Sequence, residues 1–368
     1  MPIVLAPRGD DNRYSQDSFV FDLFAKYGYS VLKKGRCGYE PVRTPDFIVS
    51  HNPDDPDDSL FLKRFSSTPS VVHLHYQLEY YRDHDNLALA LGCASAAIAP
   101  TAFLADKMSR KFPGLEWNVV SNGVRKHLFF ASNASERAKF RRQRGIRSNG
   151  KLIGFVGRLT KAKGLDILER ICRQITHIDA TLLIQFPYWH NSADPSERDR
   201  SLSLAQSLQQ LAPKHIVLYP DRAPRFPERP IRYLDALLMP SLSELQPMVV
   251  LEALASGVPV IGTRSTPFYE ELVETLIERQ ACNLVDLPSR FSSGGTSEDH
   301  LYDDELKGLS DALLRLIYRA PIPSDNERLS LESGMPRDYV DATMYRAWTE
   351  IYERHARNSR SQVTSALN

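Results

Sequence analysis

Short runs of apolar and β-branched residues alternate with longer stretches of helical periodicity along most of this chain. That alternation most narrows what it can fold into. Strands that each wait a helix's length for the next cannot pair as hairpins, so they lie parallel and are joined by crossover helices. In the first half the runs are residues 2–6 (PIVLA), 46–50, 70–74, 95–99 and 118–121. Helical patterns lie at 15–27, with Phe19, Leu23 and Tyr27 on one face, and at 101–112. The same grammar restarts at 151–157 (KLIGFVG), followed by a helix from Gly164 to about Ile175 and strands at 180–186, 215–219 and 235–240. A helix over 248–257 ends at Gly257, a residue suited to a left-handed C-terminal cap. A strand at 259–263 and helices at 303–319 and 338–358 complete the pattern.

One restart in 368 residues predicts two α/β domains. The first is expected over 1–132, joined by the closing helix 338–358, and the second over 151–337. Between them, 133–150 is polar and basic and is expected to be a short helix and a linker. The stretch from Glu136 to Lys151 carries seven Lys or Arg. With no aromatic residues interleaved for stacking on bases, these cations read as a solvated face and not as a nucleic-acid interface. The formal charge of +1 offers no global field for nucleic acid or an acidic membrane, so any bound anion must be held by local groups.

Cys37, Cys93, Cys172 and Cys282 are far apart and form no C-x-x-C pair, which predicts reduced thiols and no zinc ribbon. The opening MPIVLAPRGDD is not a signal peptide, and no apolar stretch is long enough to span a bilayer. A cytoplasmic protein is expected, and the sequon at Asn133 should be idle. Weak peripheral contact with the inner face of a membrane would use the Lys33-Lys34 and Lys107–Lys111 regions.

Two constellations carry chemistry. Gly157-Arg158-Leu159-Thr160-Lys161-Ala162-Lys163-Gly164 joins a buried strand to a helix. Ligands of open α/β sheets bind at the carboxyl ends of strands, and flanking glycines with cationic side chains there suit a diphosphate. The second runs from Ser241 to Ala253, with Glu244 in the loop after a strand and Glu252 eight residues on, within the following helix. A helix start favours anions, and a carboxylate inside an apolar run needs a defined polar partner. The plainer readings are a basic turn and a pair of ordinary surface carboxylates.

Together the two motifs resemble family 4 of the retaining glycosyltransferases, within the glycosyl transferases group 1. The family text is a strand, G-R-L-x-x-x-K-G, and later P-S-x-x-E-x-x-P/G-x-x-x-L-E-A-x-A-x-G-x-P-V. This chain has GRLTKAKG and PSLSELQPMVVLEALASGVPV. The resemblance is strong over about 118–275 and implies the GT-B fold, two facing Rossmann-like domains with the active site in the cleft between them. It implies that Arg158 and Lys163 hold the donor diphosphate and stabilise it as leaving group. Glu244 would bind hydroxyls of the transferred sugar and Glu252 the nucleotide ribose. Gly157 and the backbone near Pro247, Met248 and Val249 would meet phosphate or sugar. The donor would be a UDP- or GDP-sugar. The acceptor would be a carbohydrate, glycolipid or small molecule, in glycan or glycoconjugate biosynthesis.

In the first domain the family's glycine-rich loop corresponds to Pro7–Arg13, where Gly9 is the one glycine. The family's strand-end histidine, which faces the transferred sugar, corresponds best to His75; His51 is the runner-up, and His73 shares the face of His75 if the strand is regular. Asp55-Pro56-Asp57 matches a D-x-D metal motif but reads as a turn and helix start, so no metal or other cofactor is expected. The competing readings are a nucleotide-sugar-binding protein without turnover and a nucleotide-sugar epimerase of the same fold.

Overall fold

The computed structural model describes residues 2–6, 30–33, 39, 44–51, 53–75, 81, 83–148, 150–187, 195–221, 230–267, 269, 281–292 and 301–366. The expected helix at 15–27, the Gly9 loop, Lys34 and Cys37 lie outside these residues. The chain divides into unit 1, Met1–Asn122 with Ala342–Asn368, and unit 2, Gly123–Asp341.

Unit 1 contains β1 (Pro2–Ala6), β2 (Ser30–Lys33), β3 (Phe47–Ser50), α1 (Pro56–Arg64), β4 (Ser70–His73), α2 (His84–Cys93), β5 (Ala96–Ala99), α3 (Ala102–Ser109) and β6 (Glu116–Val119). Its six strands are parallel in the order β2-β1-β3-β4-β5-β6. The order reverses between β1 and β3, and a ligand crevice is expected at the strand ends there. Asp55 caps α1 by accepting from the Asp57 amide, with Pro56 in the first turn, so the D-x-D lookalike serves as a helix start. Asp58 is buried and accepts from the Tyr39 and Ser50 hydroxyls at 2.8 and 2.6 Å.

Unit 2 contains α4 (Ala134–Gln143), β7 (Lys151–Val156), α5 (Leu165–Gln174), β8 (Ala180–Pro187), α6 (Pro195–Leu211), β9 (Ile216–Asp221), β10 (Ala236–Met239), α7 (Met248–Ala255), β11 (Val260–Thr263), β12 (Cys282–Val285), α8 (Asp303–Arg319) and α9 (Asp325–Ser333). Its parallel sheet runs β9-β8-β7-β10-β11-β12. This is the Rossmann order, with its switch point between β7 and β10. Cys172 and Cys282 are buried, and burial pushes both thiols up to about 12, so they are inert fillers of the core.

The closing helix α10 (Asp341–Ala366) returns to unit 1. Met344, Tyr345, Trp348, Ile351 and Tyr352 form its apolar stripe and pack on Val4, Phe47, Val49, Val71 and Ile98 of the sheet. Gly123 and Asp341 lie where the chain enters and leaves unit 2. There Val124 and Val340 form a parallel bridge, and a β-carbon on Gly123 would stand 2.5 Å from the Asp341 Cα. Only glycine lets the two passes lie this close.

Residues 123–150 correct the expected domain boundary. They belong to unit 2 and are no free linker. Asn133 and Glu136 close a capping box on α4, and Phe140 and Ile146 enter the core beside Leu152 and Leu237. The basic face is corrected in part: Lys139, Arg142, Arg144 and Arg147 are exposed as expected, and two arginines are not. Arg137 and Arg141, one turn apart, are buried and paired with Asp325 and Asp235 at 2.8 and 2.5 Å. The local sequence is polar, so the acidic partners about a hundred or more residues away were invisible in it.

Candidate active site

In unit 2 the two chemistry-bearing motifs meet at the switch point. After β7 the chain turns through a short 3-10 segment, Lys161–Lys163, into Gly164, whose φ is +75°. A β-carbon on Gly164 would overlap the Pro240 carbonyl, so glycine both permits the left-handed turn and lets this loop lie against the end of β10. The loops are then stitched by the Leu242 amide donating to the Ala162 carbonyl at 2.8 Å. This contact brings Lys163 and Glu244, 81 residues apart, into a salt bridge with Nζ and Oε1 2.5 Å apart. The Ser241 hydroxyl donates to the same Glu244 oxygen at 2.8 Å.

The glutamate loop is held from its other side by the strand-end loop after β11. The Glu244 amide donates to the Ser265 carbonyl at 3.0 Å, the Thr266 hydroxyl to the Leu245 carbonyl at 2.7 Å, and the Thr263 hydroxyl to the Ser241 carbonyl. All three hydroxyl-bearing residues are buried. The sequence reading missed these braces, because nothing in an S-T or G-T pair marks which carbonyl it will meet. Glu252 is buried within α7, and Arg158 is exposed on the β7 loop beside Gly157. Pro247 occupies the N-cap of α7 without a side-chain cap, and its carbonyl accepts from Val250 at 3.0 Å. Pro247 has no N–H, so the amide donors expected around it reduce to Met248 and Val249, first-turn groups that a helix leaves unbonded internally.

In unit 1, the C-terminal ends of β3 and β4 bring three imidazoles together. His51 follows β3, His73 ends β4 and His75 lies two residues further. His51 and His73 stack at 4.2 Å between ring centroids, and His73 and His75 lie within 15° of parallel, so the alternation expected from a regular strand persists past its end. His51 Nδ1 lies 3.0 Å from His75 Nε2. His73 Nε2 meets the Tyr352 hydroxyl, and Trp348 packs edge-on against His73 at 4.6 Å. The His75 amide donates to the Tyr81 hydroxyl at 2.9 Å. Burial holds the pKa of His51 and His73 well below the usual histidine range, with His75 adding to both effects and His51 to that on His73. Both rings are therefore neutral at neutral pH. The closing helix was legible in the sequence, but its role of seating the imidazoles was not.

Among the described residues, these histidines are a set of metal-ligating side chains whose donor atoms lie within 4.8 Å of one another. Imidazole lone pairs lie in the ring plane, and stacked rings send them side by side. One nitrogen of His73 is engaged by Tyr352 and one of His51 by His75. The arrangement is that of a hydrogen-bonded stack more than of a coordination sphere.

Two parallel α/β units, one with Rossmann strand order and a charged pair at its switch point, define a GT-B protein. Residues 136–279 match the family described as glycosyl transferases group 1. A D-inositol 3-phosphate glycosyltransferase from Corynebacterium jeikeium is 34% identical over 140 residues, 37% of this chain and 32% of that protein. The chain thus spans about a third of the length of that curated relative. Among solved structures, sucrose-phosphate synthase from Thermosynechococcus elongatus superposes with a TM-score of 0.66 at 15% identity, covering 96% of this chain and 98% of that one. HepE from Anabaena, in complex with UDP and glucose, gives 0.65 at 18% identity over 95% and 98%. At these identities the structural likenesses speak for the fold. Among the described residues no helix is long and apolar enough to cross a membrane.

Proposed function

We propose that this chain is a retaining glycosyltransferase that moves a sugar from a nucleotide-diphosphate donor, with UDP the first carrier to test, to an acceptor hydroxyl in glycan or glycoconjugate biosynthesis. The observation that supports this most is the meeting of Lys163 and Glu244 at the switch point of a group 1 domain. A diphosphate brought there exchanges Lys163 from a carboxylate to phosphate oxygens, and Glu244, held in place by Ser241, turns to sugar hydroxyls. Arg158 is placed on the same loop to add charge to the leaving group. Met248 and Val249 offer amides at a helix start, and Glu252 suits ribose hydroxyls. The binding of UDP and glucose by the HepE neighbour and the sugar-transfer name of the corynebacterial relative favour the same reading.

The anomeric C–O bond breaks with its electron pair moving onto the β-phosphate, and fixed positive charge lowers the cost of that step. The acceptor oxygen then bonds to the anomeric carbon on the face that the diphosphate leaves, and its proton passes to a leaving-group oxygen. His75 contributes a hydrogen bond to a sugar hydroxyl. Lys163 and Arg158 do the charge work, so turnover is expected to be unchanged by EDTA.

The test is a thermal-shift series with UDP, GDP, ADP and TDP on the wild-type chain, Lys163→Ala and Glu252→Ala. Stabilisation by one nucleotide, lost in both variants, supports the donor site. No stabilisation by any nucleotide in a folded protein overturns it. Stabilisation without release of nucleotide from any of the matching sugars favours a binding protein without turnover.

A further inference from the structure

We infer that His51 is a positioning residue for His75: it holds that imidazole in one tautomer and one orientation. This rests on the reading of His75 as a sugar-contacting group. A histidine that meets a hydroxyl must present either an N–H or a lone pair, and a neutral ring in solution interconverts between the two. Here Nε2 of His75 is engaged by Nδ1 of His51 at 3.0 Å. One of the two facing nitrogens carries the hydrogen and the other the lone pair. The contact therefore ties the tautomer of His75 to that of His51, so that one ring cannot change without the other.

His51 can impose this because it is itself held. It is 1% exposed, stacked on His73 and 5.8 Å from the Trp348 ring. His73 is fixed in turn by the Tyr352 hydroxyl. A chain of contacts thus runs from α10 through His73 and His51 to His75, the member that is only partly buried. Buried imidazoles kept neutral by desolvation cannot drift to the doubly protonated form, which would present N–H on both nitrogens. Position 51 also directly follows β3, one of the two strands flanking the reversal of strand order in unit 1, where a ligand crevice is expected.

Two variants separate positioning from packing. An Asn amide reproduces the place of Nδ1, whereas a Gln amide reproduces that of Nε2. His51→Asn should therefore keep the contact with His75, and His51→Gln should lose it. Long-range proton–nitrogen NMR of the full-length protein, selectively labelled on histidine, reads the tautomer directly and needs no donor. The expected result is one tautomer of His75 in wild type and His51→Asn, and a mixture in His51→Gln. UDP release from UDP-glucose should fall about tenfold in kcat for His51→Gln, with KM within about twofold, and return to near wild type in His51→Asn. An unchanged His75 tautomer in His51→Gln overturns the inference. So does one tightly bound zinc ion per chain that His51→Gln abolishes, since the cluster would then be a metal centre. If wild type neither binds nor turns over UDP-glucose, the choice of that donor fails, and the NMR result still decides the role of His51.

Discussion

At the switch point of unit 2 the strand ends carry Lys163 against Glu244, and deeper in the same unit Asp235 is buried between Arg141 and Arg328. At the strand ends of unit 1, His51 and His73 are buried imidazoles kept neutral, sealed by Trp348 and Tyr352. Unit 2 manages buried polarity by pairing full charges; the described part of unit 1 manages it at this site by suppressing charge. A charged site suits an anion such as a diphosphate, and a neutral one suits hydroxyls, which need directed hydrogen bonds more than a field.

The sharpest way to break this contrast is Asp235→Ala. The Asp235 carboxylate accepts from Arg141 at 2.5 Å and from the Leu152 amide at 2.7 Å, and Arg328 lies 3.5 Å away. Burial brings Arg328 down to about 10, so it remains charged at neutral pH. Removing its partner strands cations in the interior and should cost about 3–5 kcal/mol in denaturant unfolding. A loss under about 1 kcal/mol would mean that these charges reach water on their own.

Next is Lys163→Ala, expected to lower turnover about a hundred- to a thousandfold, the magnitude typical of a lost transition-state charge contact. His75→Ala should cost about tenfold, the value of one hydrogen bond. Equal losses would erase the distinction between the charged group in unit 2 and the neutral group in unit 1. Gly164→Ala tests the approach that creates the charged pair. A left-handed φ and overlap with Pro240 should together cost about 1–3 kcal/mol of stability, and donor binding should weaken with it.

The smallest effect is in acid. His51 and His73 have folded-state pKa values below their unfolded value of 6.5, so below that pH the unfolded chain takes up protons that the native chain refuses. Stability rises with pH through this window and is lost as pH falls. Hydrogen exchange on β3 and β4 between about pH 7 and about pH 5 should show the slope, with His73→Asn reducing it. A slope equally steep across unit 2 would assign it to other groups.

The contrast also explains how much was legible beforehand. The charged group of unit 2 is written locally: GRLTKAKG and the E-x7-E stretch each span a few turns of chain, and their glycines and charges stand out from an apolar background. The histidine group of unit 1 is scattered over the ends of β3 and β4 and over α10, with His73 and Tyr352 279 residues apart, and a histidine at a strand end looks the same whether it stacks or stands alone. For the same reason the α4 region read as a linker: its capping box and its two anchors, Phe140 and Ile146, are short signals, and the acids that pair with Arg137 and Arg141 come from the start of α9 and from the residue before β10.

The amino-acid order by itself determined the parallel α/β class, the restart that makes two units, the return of an apolar-striped closing helix and the identity of the charged residues at two strand ends. These are properties of periodicity and of residue type, which act over one element at a time. Tertiary structure alone decided that Lys163 faces Glu244, that threonines at and after the end of β11 brace the glutamate loop, that two arginines of the basic stretch are buried, and that three histidines share one stack. Each of these depends on the strand order of a sheet and on which loops a glycine lets approach, and pairings of that kind leave no local trace in a chain.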